Sequence, residues 1–128
     1  MLEIAQREVP NAKFIECSIE DVDIEDGSLD LVVSSFAIIH VPRDQHKCLF
    51  ERIYKWLRPG GVAFLGLGAS DNPADYDENW HGVPMTWSHF DAETNLQMLE
   101  SAGFVSDWHQ IETYAFDESH LFVIARRG

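Results

Sequence analysis

The sequence has few cysteines, few basic residues and no long apolar run, and each shortage excludes a class of protein. Its 128 residues contain only two cysteines, Cys17 and Cys48, which excludes a disulfide-rich scaffold and predicts two small buried apolar side chains in a reducing cytosol. Neither cysteine lies in a recognisable metal-ligand spacing, so no metal site is predicted. No apolar run reaches the roughly 20 residues that a membrane-spanning helix needs, and the first residues do not form a signal peptide. We therefore expect a cytoplasmic protein without a membrane partner.

Acidic residues outnumber basic ones by 22 to 9, which gives a formal net charge of −13. Such a charge disfavours nucleic acid as a partner, since nucleic acid is itself a polyanion. The acids are spread along the chain, which is typical of a self-repelling surface. A hydrophobic content of 45% with four Trp indicates a folded protein. At this length we expect a single domain over residues 1–128 with a sizeable core.

The first half of the chain alternates segments at helical spacing with short apolar runs, which predicts an α/β layered fold. Leu2, Ala5 and Val9 form the apolar stripe of a first helix, which Pro10 ends. The run over 29–36 is nearly continuous in apolar residues, as in a parallel strand covered on both faces. The other predicted elements are a strand over 13–17, a helix with Asp44 as N-cap that stops at Pro59, and a strand over 62–67. One stripe of that helix faces the core and is formed by Leu49, Ile53, Trp56 and Leu57.

The second half begins with residues 68–87, which show no periodicity and predict a long functional loop. Asp91 is the predicted N-cap of a further helix, and Gly103 is the residue that ends it. A polar run over 105–114 and an apolar run over 120–125 are separated by a short turn. They predict an antiparallel hairpin whose polar strand lies at the sheet edge.

Five short segments, in this order, resemble motifs of the class I S-adenosylmethionine-dependent methyltransferases of the type 11-like group. The segments are MLEIA at 1–5, DGSLDLV at 26–32, FAIIHV at 36–41, LRPGG at 57–61 and LESAGF at 99–104. The resemblance implies a Rossmann-like sheet in a three-layer αβα arrangement. This sheet would lack the family's first two strands and end in the antiparallel hairpin. No G-x-G precedes Gly66, so the glycine-rich cofactor loop of the family is absent, and we expect an N-terminally truncated, partial domain.

The resemblance also implies a cofactor, S-adenosyl-L-methionine, and residues that bind it. The loop after the family's third strand falls on Ser18, Ile19 and Glu20, where Ser18 stands in the place of the family's acidic residue. The alternative for this loop is a solvated acidic segment. The end of the family's fourth strand, which lies against the methionine portion of the cofactor, falls on Ser34, Ser35 and Phe36.

By the same resemblance, His40 matches a histidine that follows the fourth strand and is the candidate catalytic base, with packing or helix capping as the alternative. The segment that forms the substrate wall in the family contains several aromatic residues and histidines here. These candidate substrate-binding residues are Trp80, His81, Met85, Trp87 and His89. The alternative is that they only pin the loop onto the domain.

Two functions follow from these expectations. The first is methyl transfer from S-adenosylmethionine to a small-molecule acceptor. The second is a non-catalytic methyltransferase-like domain that associates with a partner or with itself. The missing strands would leave the strand over 29–36 with an open apolar edge, and such edges pair with other chains. We therefore expect either that the strand over 13–17 repacks against it or that a homodimer covers it.

Overall fold

The computed structural model describes residues 2–15, 19, 21–80, 82–113 and 119–128. The helices are α1 (Leu2–Glu8), α2 (His46–Trp56) and α3 (Ala92–Ala102). The strands are β1 (Leu29–Ser35), β2 (Leu57–Gly68), β3 (Asn72–Trp80), β4 (Val83–His89), β5 (Phe104–Thr113) and β6 (Ser119–Arg127). No helix in the described part of the chain is long and apolar enough to cross a membrane.

Four strands form one sheet in the order β1-β2-β6-β5. β1 and β2 are parallel, with Ser35 opposite Gly66. β6 runs antiparallel to β2, with His120 opposite Gly68, and β5 runs antiparallel to β6 at the far edge. The predicted Rossmann-like α/β sheet that ends in an antiparallel hairpin is therefore confirmed, and the polar strand lies at the edge as expected.

The core lies between this sheet and the two longer helices. The predicted stripe of α2 is buried, since Leu49, Ile53 and Trp56 are at most 6% exposed. α3 contributes Leu99, which is 1% exposed. The side chain of Asp91 accepts a hydrogen bond from the Thr94 N–H at 2.8 Å, which confirms its role as N-cap.

α3 ends at Gly103, as predicted. Its φ of +111° is a backbone conformation that residues with a side chain rarely adopt. A Cβ atom at this position would also lie 2.8 Å from the Tyr54 ring, because the end of α3 packs closely against α2. Glycine is therefore needed here both for the turn and for the helix packing.

The start of α2 differs from the prediction. Arg43–Gln45 form a 3-10 turn in which the Gln45 N–H donates to the Pro42 carbonyl at 2.9 Å. Because Asp44 lies inside this turn, it is not the N-cap. α2 begins at His46, with Gln45 in the cap position and no side-chain cap bond.

The predicted loop over 68–87 was also wrong, because β3 and β4 form an antiparallel hairpin there. Its register is irregular between Asn72 and Asp75 and again between Asp77 and Trp80. Such irregularities break the two-residue alternation that identifies a strand in a sequence. The hairpin forms a separate two-stranded sheet.

β1 has one bare face rather than two covered ones, since Leu31 is 56% exposed and Val33 is 62% exposed. In the described chain β1 pairs with β2 alone. Residues 13–15 form no strand, because no described segment pairs with them, and the rest of the predicted strand over 13–17 lies outside the described residues. The expected repacking of that segment against β1 is thus not seen in the described part.

The prediction that Cys48 is buried was wrong. Cys48 is exposed, because it lies on α2 outside the buried stripe of that helix. Cys17 lies outside the described residues.

Candidate functional site

One edge of the main sheet collects the ends of three strands. The parallel strands β1 and β2 end there at Ser35 and Gly68, and the antiparallel strand β6 begins there with His120 opposite Gly68. Ligands of open α/β sheets bind beyond the carboxyl ends of the parallel strands. A binding site is therefore expected at this edge of the sheet.

At the end of β1 the Ser34 hydroxyl is buried and has no hydrogen-bond partner among the described residues, whereas Ser35 is exposed. Phe36 follows with a φ of +57°, a left-handed conformation that is costly for a residue with a side chain. Its N–H donates to the Gly66 carbonyl at 3.1 Å, and its ring centroid lies 4.6 Å from that of His120. The strand therefore ends in a strained residue that is fixed by β2 and β6.

The loop before β1 is tied to α2 by Arg52. Its guanidinium donates to the carbonyl of Val22 at 2.5 Å and to that of Ile19 at 3.4 Å. Ile19 is partly buried and packs against the core. The other cofactor candidates in this loop, Ser18 and Glu20, lie outside the described residues.

The hairpin is fastened to the segment after β1 by Arg43. Its guanidinium forms an ion pair with Asp71 at 2.6 Å and lies 4.6 Å above the Phe90 ring. Its backbone N–H donates to the Ser88 hydroxyl at 2.8 Å. Arg43 thereby holds three parts of the hairpin region, which are the residue before β3, the strand β4 and the residue after β4.

His40, the candidate base, lies beside β4. Its Nδ1 is 2.9 Å from the Thr86 carbonyl oxygen, and its ring centroid is 5.9 Å from that of Trp87. Because a carbonyl oxygen only accepts, Nδ1 must carry the hydrogen. In the neutral ring this leaves Nε2 with a lone pair that can accept a proton.

His89 is fixed in the same way, with Nδ1 donating to the Ser70 carbonyl at 2.6 Å. Its ring packs directly on Gly68, where any Cβ atom would overlap it. The close approach of the hairpin to the end of β2 therefore requires glycine at that position.

Of the five predicted substrate-wall residues, three lie on β4 and are partly buried, namely Met85, Trp87 and His89. Trp80 is the last residue of β3, and His81 lies outside the described residues. The structure thus brings His40, Trp87 and His89 to the same hairpin.

Two cavities flank the hairpin. The outer cavity, of about 660 Å³, is lined by His40, Pro42, Arg43, Asp44, Pro73 and Thr86, among others. The edge cavity, of about 640 Å³, is lined by Ile39, Ser70, Asn72, His89, Ser119 and His120, among others. Both are also lined by Asp75, Tyr76 and Trp87.

Sequence reasoning did not identify Tyr76 or His120 as members of a site. Tyr76 lies in the segment predicted to be a loop, and His120 stands at the start of an apolar strand. No local motif marks either residue, and only the sheet topology brings them to the cavities.

Below the site, His46 is a buried histidine with a structural role. It is 1% exposed, and its Nε2–H donates to the Val41 carbonyl at 2.7 Å. Burial lowers the pKa of His46 below its usual value, and hydrogen bonds to the Val41 and Ile38 carbonyls partly oppose that shift. The neutral ring therefore supports the turn that carries His40.

The described residues fit S-adenosylmethionine at several points. The Ser34 hydroxyl is a buried polar group in need of a partner, and the Phe36 and Ile19 side chains provide apolar surface. No cluster of three or more His, Cys, Asp or Glu side chains suited to a metal ion occurs among the described residues.

Comparisons with known proteins point to the same family. The family described as "Methyltransferase domain" matches residues 1–61. Phosphoethanolamine N-methyltransferase 1 of Triticum aestivum is 38% identical over 45 residues, which are 35% of this chain and 9% of that protein. Carboxy-S-adenosyl-L-methionine synthase of Aliivibrio fischeri strain MJ11 is 46% identical over 52 residues, which are 40% of this chain and 20% of that protein.

A solved structure extends the likeness to the whole fold. It is the Burkholderia thailandensis 1,6-didemethyltoxoflavin-N1-methyltransferase with bound 1,6-didemethyltoxoflavin and S-adenosylhomocysteine. The match has a TM-score of 0.71 at 21% identity and covers 98% of this chain and 55% of that one. The matched segments thus span only part of each relative. The sequence match over residues 1–61 and the fold of the described residues both resemble those of class I S-adenosylmethionine-dependent methyltransferases.

Proposed function

We propose that this chain takes part in methyl transfer from S-adenosylmethionine to a small-molecule acceptor held at the hairpin. The observation that carries the proposal is the position of the edge cavity. It lies where β1 and β2 end, and its lining includes Ile39, which follows β1, and Ser70, which follows β2. A cofactor at the strand ends and an acceptor in this cavity would be neighbours.

Ile19, Ser34, Ser35 and Phe36 are the described residues that would hold the cofactor. When bound, S-adenosylmethionine supplies a methyl group on a sulfonium centre, which is a good leaving group. The task of the chain is therefore mainly to position the acceptor and to exclude water. Trp87, which lines both cavities, and Met85, on the same strand, provide apolar surface for that purpose.

His40 would accept the proton that the acceptor loses. The hydrogen bond from Nδ1 to the Thr86 carbonyl fixes the ring so that Nε2 is the basic nitrogen. His40 lines the outer cavity, which meets the edge cavity at Asp75, Tyr76 and Trp87. An acceptor whose reacting atom lies at these shared residues would present that atom to the cofactor at the strand ends and lose the proton of the same atom to His40.

Calorimetric titration of S-adenosylmethionine and of S-adenosylhomocysteine into the purified chain tests cofactor binding. We expect saturable binding that the Ser34→Ala variant weakens about fivefold, because one buried hydrogen bond contributes on the order of 1 kcal/mol. Ser101→Ala, which removes an exposed hydroxyl on α3, is the matched control. Equal affinities in the two variants, or no heat with either compound, would contradict the proposed site.

A second function rests on the bare side of β1. Leu31 and Val33 are more than half exposed, and β1 has one strand neighbour in the described chain. Asp30 at this edge is paired with Arg58 at 2.5 Å, so its charge does not oppose association. We propose that two copies of the chain pair through β1. This pairing is compatible with a non-catalytic binding domain and with a dimeric enzyme.

Light scattering over a range of concentrations tests this dimer. We expect a dimer that Val33→Lys converts to a monomer, whereas Val105→Lys, on the opposite edge strand and 44% exposed, leaves it intact. A wild-type chain that stays monomeric would refute the pairing. A cytoplasmic location and the incompleteness of the domain remain predictions of the sequence.

A further inference from the structure

The outer cavity combines aromatic side chains with carboxylates that lack basic partners. Tyr76 and Trp87 belong to its lining, and Tyr76 is 58% exposed. Asp44 and Asp75 belong to the same lining, and in the described part of the chain neither forms an ion pair. The Asp75 carboxylate accepts a hydrogen bond from the Tyr76 N–H at 2.9 Å, which holds it next to that aromatic residue.

The positive charge in this lining is already engaged. The Arg43 guanidinium lies 2.6 Å from Asp71 and packs over the Phe90 ring, so it does not offset Asp44 or Asp75. The chain as a whole carries a formal charge of −13. The outer cavity is therefore a region of negative potential with aromatic walls, which attracts organic cations and repels anions.

We propose that the outer cavity binds the ammonium group of a small organic cation. Its methyl or methylene groups pack against Trp87 and Tyr76, and Asp75 and Asp44 balance its charge. The inference names the substrate class of the site and rests on the proposed function only for the fate of the bound amine. Binding itself is measured without S-adenosylmethionine, so its failure is distinguishable from a failure of methyl transfer.

Three probes with one branched skeleton separate charge from shape: choline, the neutral 3,3-dimethylbutan-1-ol and the anionic 3,3-dimethylbutanoate. Nuclear magnetic resonance of the tryptophan indole N–H groups during titration into the wild-type chain measures their binding. We expect saturable shifts with choline, affinity at least fivefold lower for the alcohol, and none for the carboxylate. Equal binding of alcohol and choline, preference for the carboxylate, or no saturable shift with choline would overturn the proposal.

Matched variants locate the binding. Asp75→Asn is expected to weaken choline binding at least threefold without changing the affinity for the alcohol. Trp87→Leu is expected to lower the affinity for both compounds. Asp23→Asn and Trp108→Leu, at exposed positions outside the cavity, are the controls. Asp44→Asn provides a second charge variant if Asp75→Asn does not fold, as judged by circular dichroism. If the cavity variants bind choline as well as their controls do, the site is elsewhere and the proposal is wrong.

Discussion

At the scale of single residues, Arg127 shows how one side chain completes the end of a helix. Its guanidinium lies 4.7 Å above the Tyr54 ring. It donates hydrogen bonds to three carbonyls at the end of α2, those of Leu57, Tyr54 and Lys55, at 2.5 to 3.3 Å. Carbonyls in the last turn of a helix lack intrahelical partners. A residue near the C-terminus of the chain therefore stabilises a helix some 70 positions earlier.

We expect Arg127→Met to lower the free energy of unfolding by about 1–3 kcal/mol, because it removes the hydrogen bonds from Arg127 to these carbonyls. The Lys55 carbonyl also accepts from the Gly27 N–H and keeps that bond. Arg126→Met is the neighbouring control. Arg126 pairs with Asp107 on the surface, and such pairs contribute little. Urea denaturation followed by circular dichroism measures both, and similar losses in the two variants would contradict this account.

The buried His46 makes stability depend on pH. Its pKa is lowered in the folded state, mainly by burial, so the unfolded chain binds a proton more readily than the folded chain does. The stability that the neutral His46 ring contributes is therefore fully present above the unfolded pKa of about 6.5, and it is lost as the pH falls below that value. We expect this contribution to lower the melting temperature of the wild-type chain, relative to that of a His46 variant, as the pH falls from 7.5 to 5.0.

His46→Gln, which retains an N–H donor near the Val41 carbonyl, should flatten this pH dependence. His109→Gln, at an exposed position on β5, should leave it unchanged. Thermal unfolding at both pH values provides the comparison. An equally steep dependence in the His46 variant would assign the effect to other groups.

At the scale of elements, the attachment of the hairpin depends on a missing side chain. The His89 ring occupies the space that a Cβ atom at Gly68 would fill. Gly68→Ala should displace the ring and break its hydrogen bond to Ser70. We expect the free energy of unfolding to fall by about 1–3 kcal/mol, which is typical of overpacking.

Gly82→Asn is the control for this change. Gly82 has a φ of +90° and open space around its Cα, and Asn tolerates left-handed backbone better than most residues do. Circular dichroism during thermal unfolding measures the stability of both variants. A Gly68 variant no less stable than the control would show that the hairpin accommodates the extra methyl group.

Elements with strong local signals were predicted from the sequence, and elements defined by long-range pairing were not. The α2 residues Leu49, Ile53 and Trp56, the Asp91 cap and Gly103 are local features, so their positions were correct. Leu57 of the predicted stripe instead begins β2. The β3–β4 hairpin has an irregular register and lies outside the main sheet, and neither property leaves a periodic pattern. The motif around His40 identified that residue, but its bond to Thr86 and its contact with Trp87 arise only from the fold.

At the scale of the whole molecule, the charge of −13 sets the response to salt. The three ion pairs found among the described residues, such as Arg58–Asp30, are largely at the surface and contribute little. Repulsion among the remaining acids is the larger effect, and salt screens it. We expect 0.5 M NaCl to raise the melting temperature at pH 7.5 by a few degrees.

At pH 5.0, close to the isoelectric point of about 4.6, the net charge is small and the same salt addition should have little effect. Differential scanning calorimetry at both pH values makes the comparison. A salt effect that is equal at the two pH values, or destabilisation at pH 7.5, would show that repulsion is not the dominant electrostatic effect.

The wall that the two cavities share has an evolutionary consequence. Because Asp75, Tyr76 and Trp87 line both cavities, a substitution at any of them alters two binding surfaces at once. Residues that line one cavity alone, such as Pro73 in the outer cavity and Asn72 in the edge cavity, are free to vary separately. Across descendants of this chain, ligand preference should therefore drift gradually through the unshared positions and change abruptly when the shared wall mutates.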